Sequence, residues 1–306
     1  MAMTGVLRPG YVRLRVMDLD SALLHYRDRM GLELVRSGGG LAYLRAYDEF
    51  DDHSVVLCES DSPGLDRIGF KVATVDDLER FAGRLSSLGL AVENLQPDPD
   101  AALGARISFV APSGHRFDLY AEMALAENGP PVANPDIWRD EPRGMRIVRY
   151  DHCALLTQDT AAAARVFVEA LDFKVAEELV APDGMAIGIF LSCSTKAHDL
   201  AFLASPDDGK IHHTSFLVES WHDVGHASDL IARHDISLDI GPTRHGITRG
   251  QTVYFFDPSG NRNEIFAGGY HFYPDNPTRR WTADQAGKAI FYYQKAVHDS
   301  FLTAST

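Results

Sequence analysis

The sequence predicts an α+β protein of two homologous domains, each made of two β-α-β-β-β modules that form an open, barrel-like mixed sheet. Its 306 residues are enough for two domains of ordinary size. Residues 112–120 (PSGHRFDLY) return 146 positions later as residues 258–266 (PSGNRNEIF), and residues 68–72 match residues 214–218 at the same offset. A duplicated unit is the simplest account of this self-similarity.

Within the first half, short apolar strands alternate with one helical pattern per quarter. The first quarter predicts a helix over residues 21–30, behind a start signal at Asp18 and Asp20, and the second predicts a helix over residues 75–88. Strands are predicted at residues 12–16, 41–47, 54–58, 68–72, 107–110 and 116–120. These six strands are three of the four in each quarter, and we interpret each quarter as one β-α-β-β-β module.

The domain boundaries follow from breaker residues. Residues 128–135 (NGPPVANP) are rich in glycine and proline and are interpreted as a linker. We therefore expect an N-terminal domain at residues 1–135, a C-terminal domain at residues 145–280 and a final segment at residues 281–306. Apolar residues at helical spacing in that segment predict one amphipathic helix from Thr282 to Leu302. They are Ala286, Ile290, Tyr293 and Val297.

Composition narrows the possible partners. The chain carries 29 Lys and Arg against 43 Asp and Glu, a net charge of −14, which repels nucleic acids and anionic membranes. Its three cysteines are too few and too scattered for a disulfide framework. The start, residues 1–10, lacks the pattern of a signal peptide, and no apolar run is long enough to span a membrane. We expect a cytoplasmic protein without nucleic-acid or membrane partners.

Histidines concentrate in the second half, which contains ten of the thirteen. His152 and His213 lie in the first strands of the third and fourth quarters, and Glu264 lies in the strand after the second PSG turn. Strand side chains alternate between faces, so these three can converge on one inner surface. Two imidazoles and one carboxylate form the facial triad of non-haem Fe(II) oxygenases. A zinc hydrolase is a chemical competitor, but the His-Glu-x-x-His helix is absent from the sequence.

Further polar residues lie near the same strands. Taken singly, a histidine or tyrosine in such a position is usually a core or loop residue. Together, these side chains would place proton donors and acceptors beside a metal. They are His198, His245 and Tyr254. We therefore regard them as candidate catalytic residues.

One stretch of the second half carries a family resemblance. Residues 239–246 (DIGPTRHG), continued by residues 250–264, are similar to the catechol 2,3-dioxygenase (metapyrocatechase) family. This family belongs to the type I extradiol dioxygenases of the vicinal-oxygen-chelate superfamily. The resemblance extends to residues 8–18 at the start and to residues 281–292 at the end. It thus covers nearly the whole chain.

The resemblance implies a reaction and a role for each candidate residue. His152, His213 and Glu264 correspond to the family's Fe(II) ligands, although Mn(II) accepts the same donors. His198 corresponds to its acid-base residue, and His245 and Tyr254 to its contacts with the substrate oxygens. The implied reaction is cleavage of catechol, or of small alkyl or chloro catechols, by dioxygen to 2-hydroxymuconic semialdehyde in aromatic hydrocarbon degradation. The family also suggests a homotetramer.

Three alternatives remain at this stage. Two are other members of the superfamily, a 2,3-dihydroxybiphenyl-type dioxygenase and a glyoxalase, and the set of His198, His245 and Tyr254 disfavours the glyoxalase. The third is a metal-free small-molecule binding protein on the same fold, in which the triad would be accidental.

The repeat and the strand pattern also carry two expectations about single residues. His212 should face away from its neighbour His213 because successive strand residues alternate. In the first half the triad positions are occupied by Arg13, Arg67 and Asp118, and arginine cannot ligate a metal. We therefore expect one metal per chain and a charge cluster in the first half.

Overall fold

The computed structural model describes residues 5–135 and 142–306, so residues 1–4 of the start considered above lie outside the described residues. Two mixed sheets organise the chain. The first has eight strands in the order β2-β3-β4-β1-β5-β8-β7-β6, and the second has nine in the order β14-β15-β16-β13-β9-β12-β11-β10-β17. The two sheets correspond to the two halves of the repeat.

Strands β1 to β8 form the first sheet. They are β1 (Val6–Val16), β2 (Glu33–Gly38), β3 (Leu41–Arg45), β4 (Val55–Glu59), β5 (Gly64–Val72), β6 (Val92–Leu95), β7 (Arg106–Val110) and β8 (Arg116–Tyr120). In each module the first strand pairs in parallel with the fourth, and the first strands of the two modules pair antiparallel. The predicted β-α-β-β-β modules are confirmed.

The second sheet repeats this arrangement and adds one strand. Its strands are β9 (Arg149–Thr157), β10 (Lys174–Val180), β11 (Ala186–Ser192), β12 (Leu200–Ala204), β13 (Lys210–Leu217), β14 (Leu238–Arg244), β15 (Gly250–Phe256), β16 (Arg262–Gly268) and β17 (Arg279–Thr282). Strands β9 and β13 pair antiparallel at its centre, and β17 extends the edge by pairing in parallel with β10.

One helix follows the first strand of each module. These are α1 (Leu19–Leu23), which continues as a π-helical turn (Leu24–Arg29), α2 (Val75–Ser87), α3 (Thr160–Leu171) and α4 (Trp221–Arg233). Helix α1 begins where its start signal predicts, because the Asp18 side chain accepts a hydrogen bond from the Ser21 backbone N–H at 2.7 Å. A capping box between Thr74 and Asp77 begins α2.

The single helix predicted from Thr282 to Leu302 is wrong. The structure has two short helices, α5 (Ala286–Ile290) and α6 (Asp299–Thr303), separated by a non-helical segment. The rings of Phe291 and Phe301 lie 4.7 Å apart, and both are buried. In one continuous helix, residues ten positions apart would be about 15 Å apart along the axis. Burial of both rings in one place therefore requires the chain to fold back.

A shared aromatic core joins the two halves. Phe117 in the first sheet packs edge-on against Phe167 of α3, with ring centroids 4.9 Å apart. Phe70 of the first sheet contacts Phe173 of the second half at 5.3 Å. Burial of such rings is strongly stabilising. The halves thus share a core in addition to the core of each sheet.

The two PSG turns of the repeat each contact the opposite half of the molecule. In the first turn, Ser113 accepts a hydrogen bond from the Gly209 N–H at 2.9 Å, and His115 Nε2 lies 3.0 Å from the carbonyl oxygen of Lys210. In the second, the Asn261 amide donates to the carbonyl oxygen of Arg15 at 2.9 Å. His115 and Asn261 occupy the same position of the repeat, so the same place in each turn contacts the opposite half.

Among the described residues, no helix combines the length and the apolar character that crossing a membrane requires.

Candidate metal centre

The three predicted ligands lie on neighbouring strands at the centre of the second sheet. His152 is on β9, His213 is on the adjacent β13, and Glu264 is on β16, the next strand along. All three side chains are buried. Pairing of the first strands of two modules therefore brings residues 61 and 51 positions apart into one cluster.

The donor atoms converge on one point. Glu264 Oε2 lies 3.1 Å from His152 Nε2 and 3.5 Å from His213 Nε2, and the two imidazole Nε2 atoms are 3.3 Å apart. Adjacent donors around a first-row metal with bonds of about 2.1 Å are roughly 3.0–3.4 Å apart. Among the described residues, this is the one group of three potential ligands with such proximity.

The Glu264 carboxylate fits a metal ligand. Its Oε1 accepts a hydrogen bond from the Thr252 hydroxyl at 2.6 Å, whereas its buried Oε2 accepts none from the described residues. A buried oxygen without a partner is costly unless a cation binds it. Burial alone would raise the pKa of Glu264, but the proximity of His152 and His245 holds that pKa well below its usual range. The carboxylate is therefore charged and directed towards the two imidazoles.

His152 Nδ1, the ring nitrogen that faces away from the other ligands, contacts the ion pair of Asp151 and Lys196. His152 Nδ1 lies 2.8 Å from Asp151 Oδ2, and Asp151 Oδ1 lies 2.9 Å from the Lys196 ammonium. Burial would raise the pKa of Asp151, but Lys196 and His152 lower it, so Asp151 is a carboxylate. An anionic acceptor on Nδ1 fixes the proton there and leaves Nε2 free for a metal. Sequence reasoning missed Asp151 and Lys196, and adjacency to His152 was the only available signal for Asp151.

The expectation that His212 faces away from His213 is wrong. The register of β13 against β9 shifts between Ile211 and His213, which is a β-bulge. A bulge breaks the strict alternation of side chains, so the two rings lie side by side, with their Nδ1 atoms 2.7 Å apart.

The structure brings the remaining predicted residues to the same centre. The His198 ring lies 3.9 Å from the His152 ring between centroids, and burial lowers the pKa of His198 well below its usual value. His245 Nε2 lies 2.8 Å from the Tyr254 hydroxyl, and its Nδ1 contacts the carbonyl oxygen of Ile290. Burial raises the pKa of Tyr254 well above its usual value. At neutral pH, His198 is thus a neutral imidazole and Tyr254 a neutral phenol.

A cavity of about 40 Å³ adjoins these polar groups, and its remaining wall is mostly apolar. The apolar residues that line it are Ala154, Phe190, Leu203, Ile247, Ile290 and Phe301. Sequence reasoning did not identify these wall residues, because they come from six separate segments and resemble ordinary core residues. The arrangement combines a polar face with a hydrophobic slot, which is the usual design of a small-molecule site.

At the corresponding place in the first half, charged side chains form a network. Asp118 is fully buried, accepts a hydrogen bond from the Tyr11 hydroxyl at 2.6 Å and lies 3.4 Å from Arg67. Arg67 and Arg13 both contact Asp66, at 2.8 and 3.4 Å. The three predicted positions thus belong to one charged network, with Arg13 connected to the others through Asp66.

Comparison with known proteins covers both halves. A family model for the glyoxalase/bleomycin resistance protein/dioxygenase superfamily matches residues 149–265, and one for the catechol 2,3-dioxygenase-like N-terminal domain matches residues 65–124. The chain is 48% identical over 304 residues to a metapyrocatechase from Pseudomonas sp. (strain CF600), covering 99% of each protein.

Two further proteins extend the comparison. The chain is 26% identical over 292 residues to a manganese-dependent 2,3-dihydroxybiphenyl 1,2-dioxygenase from Geobacillus genomosp. 3, covering 93% of this chain and 92% of that protein. The crystal structure of the 2,3-dioxygenase LapB from Pseudomonas sp. KL28 matches with a TM-score of 0.89 at 42% identity. The match covers 92% of this chain and 99% of that one. Similarity in sequence and in fold therefore spans nearly the whole molecule.

Proposed function

Because the chain belongs to the metapyrocatechase family of extradiol dioxygenases, we propose that it cleaves the ring of catechol beside the diol, with dioxygen, to 2-hydroxymuconic semialdehyde. The observation that carries the proposal is the convergence of two imidazole nitrogens and one unpartnered carboxylate oxygen on a single point. The 48% identity to a metapyrocatechase over 99% of the chain disfavours the alternative of a metal-free binding protein.

We propose Fe(II) as the metal, held by His152, His213 and Glu264. When bound, it supplies adjacent coordination positions for the catechol oxygens and dioxygen, and a path for electrons between them. The choice of Fe(II) rests on the family resemblance, and Mn(II) is the second candidate because a relative at 26% identity is named manganese-dependent.

The residues around the metal would handle the protons. His245 and Tyr254 lie beside Glu264; the Tyr254 hydroxyl faces His245 Nε2, because His245 Nδ1 faces the Ile290 carbonyl oxygen. When substrate binds, the Tyr254 hydroxyl can turn and donate to a catechol oxygen, and His245 Nε2 can then contact that oxygen. His198 stays neutral at working pH, so it can accept a proton from a bound substrate and return it later. The apolar walls at Phe190 and Phe301 would orient the ring and exclude water.

The cavity favours small, neutral catechols. Among the described residues that line it, none is Lys or Arg. A carboxylate on the substrate would therefore be buried without a counter-ion, which is costly. We expect catechol and its methyl or chloro derivatives to be better substrates than protocatechuate or homoprotocatechuate.

The decisive experiment is anaerobic loading with Fe(II), followed by addition of catechol and air. We expect the yellow semialdehyde from the wild-type protein and none from a His213→Ala variant, which lacks one ligand. Appearance of cis,cis-muconate, the product of cleavage between the two hydroxyl groups, would contradict the proposal.

Two finer parts of the proposal concern the protein's context. The family resemblance supports a homotetramer, which sedimentation analysis tests directly. Three unpaired thiols, Cys58, Cys153 and Cys193, support a reducing cytoplasmic location.

A further inference from the structure

We propose that His212 is a positioning residue that connects the metal ligand His213 to the C-terminal tail, defined here as residues 299–306. The inference rests on the metal site of the proposed function and concerns only how one of its ligands is held. Two hydrogen bonds carry it. His212 Nδ1 lies 2.7 Å from His213 Nδ1, and His212 Nε2 lies 2.7 Å from the carbonyl oxygen of Phe301 in α6.

The chemistry of the partners fixes every proton in this chain. His213 directs Nε2 at the metal point, 3.5 Å from Glu264 Oε2, so a neutral His213 must carry its proton on Nδ1. The facing Nδ1 of His212 must then accept, which places the proton of His212 on Nε2. The carbonyl oxygen of Phe301 can only accept, so it completes the chain. Loss of His212 leaves the Nδ1–H of His213 without its acceptor, and loss of the Phe301 carbonyl removes the contact that favours a proton on Nε2 of His212.

The C-terminal tail is anchored on both sides of Phe301. Arg262 donates to the carbonyl oxygen of Ser300 at 2.8 Å and forms an ion pair with Asp239 at 2.9 Å. Thr306 exchanges backbone hydrogen bonds with Ile211, at 2.8 and 3.3 Å, immediately beside the bulge. The Phe301 carbonyl is therefore held in place, and it can fix the orientation of His212.

The two imidazole ligands thus differ in how they are supported. His152 has a charged acceptor, Asp151, whereas His213 has a neutral relay of one imidazole and one carbonyl. Partners of ligand imidazoles typically affect metal affinity by about 10–100-fold. We infer that His212 contributes an effect of this size although it does not contact the metal itself.

The test compares wild-type protein with His212→Phe, His212→Gln and Leu302→Ala, using chelator competition for Fe(II) and for Co(II). Phenylalanine keeps a ring but removes both nitrogens, whereas the glutamine amide keeps one acceptor and one donor. Leu302 lies in the same tail with its side chain 66% exposed, so Leu302→Ala is the matched control. We expect His212→Phe to bind the metal about 10–100-fold more weakly. His212→Gln should recover most of that loss, and Leu302→Ala should bind as the wild type does.

A second measurement needs no folded His212→Phe variant. The ¹⁵N spectrum of histidine-labelled, Zn(II)-loaded protein distinguishes the two neutral tautomers of His212, whose signals are assigned by their absence in His212→Gln. A proton on Nε2 of His212 supports the inference. A proton on Nδ1, or wild-type metal affinity in folded His212→Phe, overturns it. If the wild-type chain binds no metal, the proposed function itself fails, which is a different result from equal affinities among the variants.

Discussion

Replacement of His115 by asparagine should remove a pH-dependent part of the stability of the contact between the two halves. Burial lowers the pKa of His115 to about 4 in the folded protein, against 6.5 when exposed. Unfolding therefore takes up a proton between pH 6.5 and 4, so stability is complete above pH 6.5 and is lost as the pH falls towards 4. At pH 5 the loss is about 2 kcal/mol, obtained from 1.36 kcal/mol per pKa unit.

Asparagine is the matched replacement because Asn261 occupies the same position of the second PSG turn and donates to a backbone carbonyl across the halves. The assay is urea unfolding of the wild type and of His115→Asn at pH 7.5 and pH 5.0. Other buried histidines titrate equally in both proteins and cancel in the difference. We expect the wild type to lose about 2 kcal/mol more than the variant between the two pH values. Parallel losses in both proteins would refute the reasoning.

Three further predictions concern the metal site and its counterpart in the first half. The His198→Phe variant should keep its iron, but its kcat should fall by about 10²–10⁴-fold. The His213→Ala variant should lose the metal. Equal loss of iron in both variants would mean that His198 is a ligand. Metal analysis should find one iron per chain, because Arg13 cannot ligate, and a ratio near two would contradict the repeat alignment. Asp118→Ala should cost about 2 kcal/mol in urea unfolding, since it leaves the buried Tyr11 hydroxyl without its acceptor and removes one counter-ion of Arg67. The half-exposed control Asp66→Ala should cost less than about 1 kcal/mol, and similar losses would contradict this assignment.

The repeat made the modules and the positions of the candidate ligands predictable. A fixed offset aligns corresponding strands, and strand alternation then indicates which of their residues can share a face. His152 and His213 were therefore identifiable together, because they occupy the same place in two modules that pair through their first strands.

The remaining features depend on contacts that a linear pattern does not encode. The bulge beside His213 arises from the pairing of β13 with β9, and nothing in the local sequence distinguishes it from regular alternation. Lys196 reaches Asp151 across 45 positions of sequence. The helical spacing in residues 282–302 was real but weak, and joint burial of Phe291 and Phe301 outweighed it.

The two PSG turns restrict how a substrate can enter the site. Each PSG turn is hydrogen-bonded to the opposite half. A hinge motion that separated the halves would break both sets of hydrogen bonds and expose the aromatic core between the halves. The cavity beside the candidate metal ligands is small, about 40 Å³, and its wall is mostly apolar. A catechol that reaches this cavity must therefore pass its own wall in the second half, where Ile290 lies at the end of α5 and next to the non-helical segment. Access to the site is thus a property of the second half and does not require the two halves to separate.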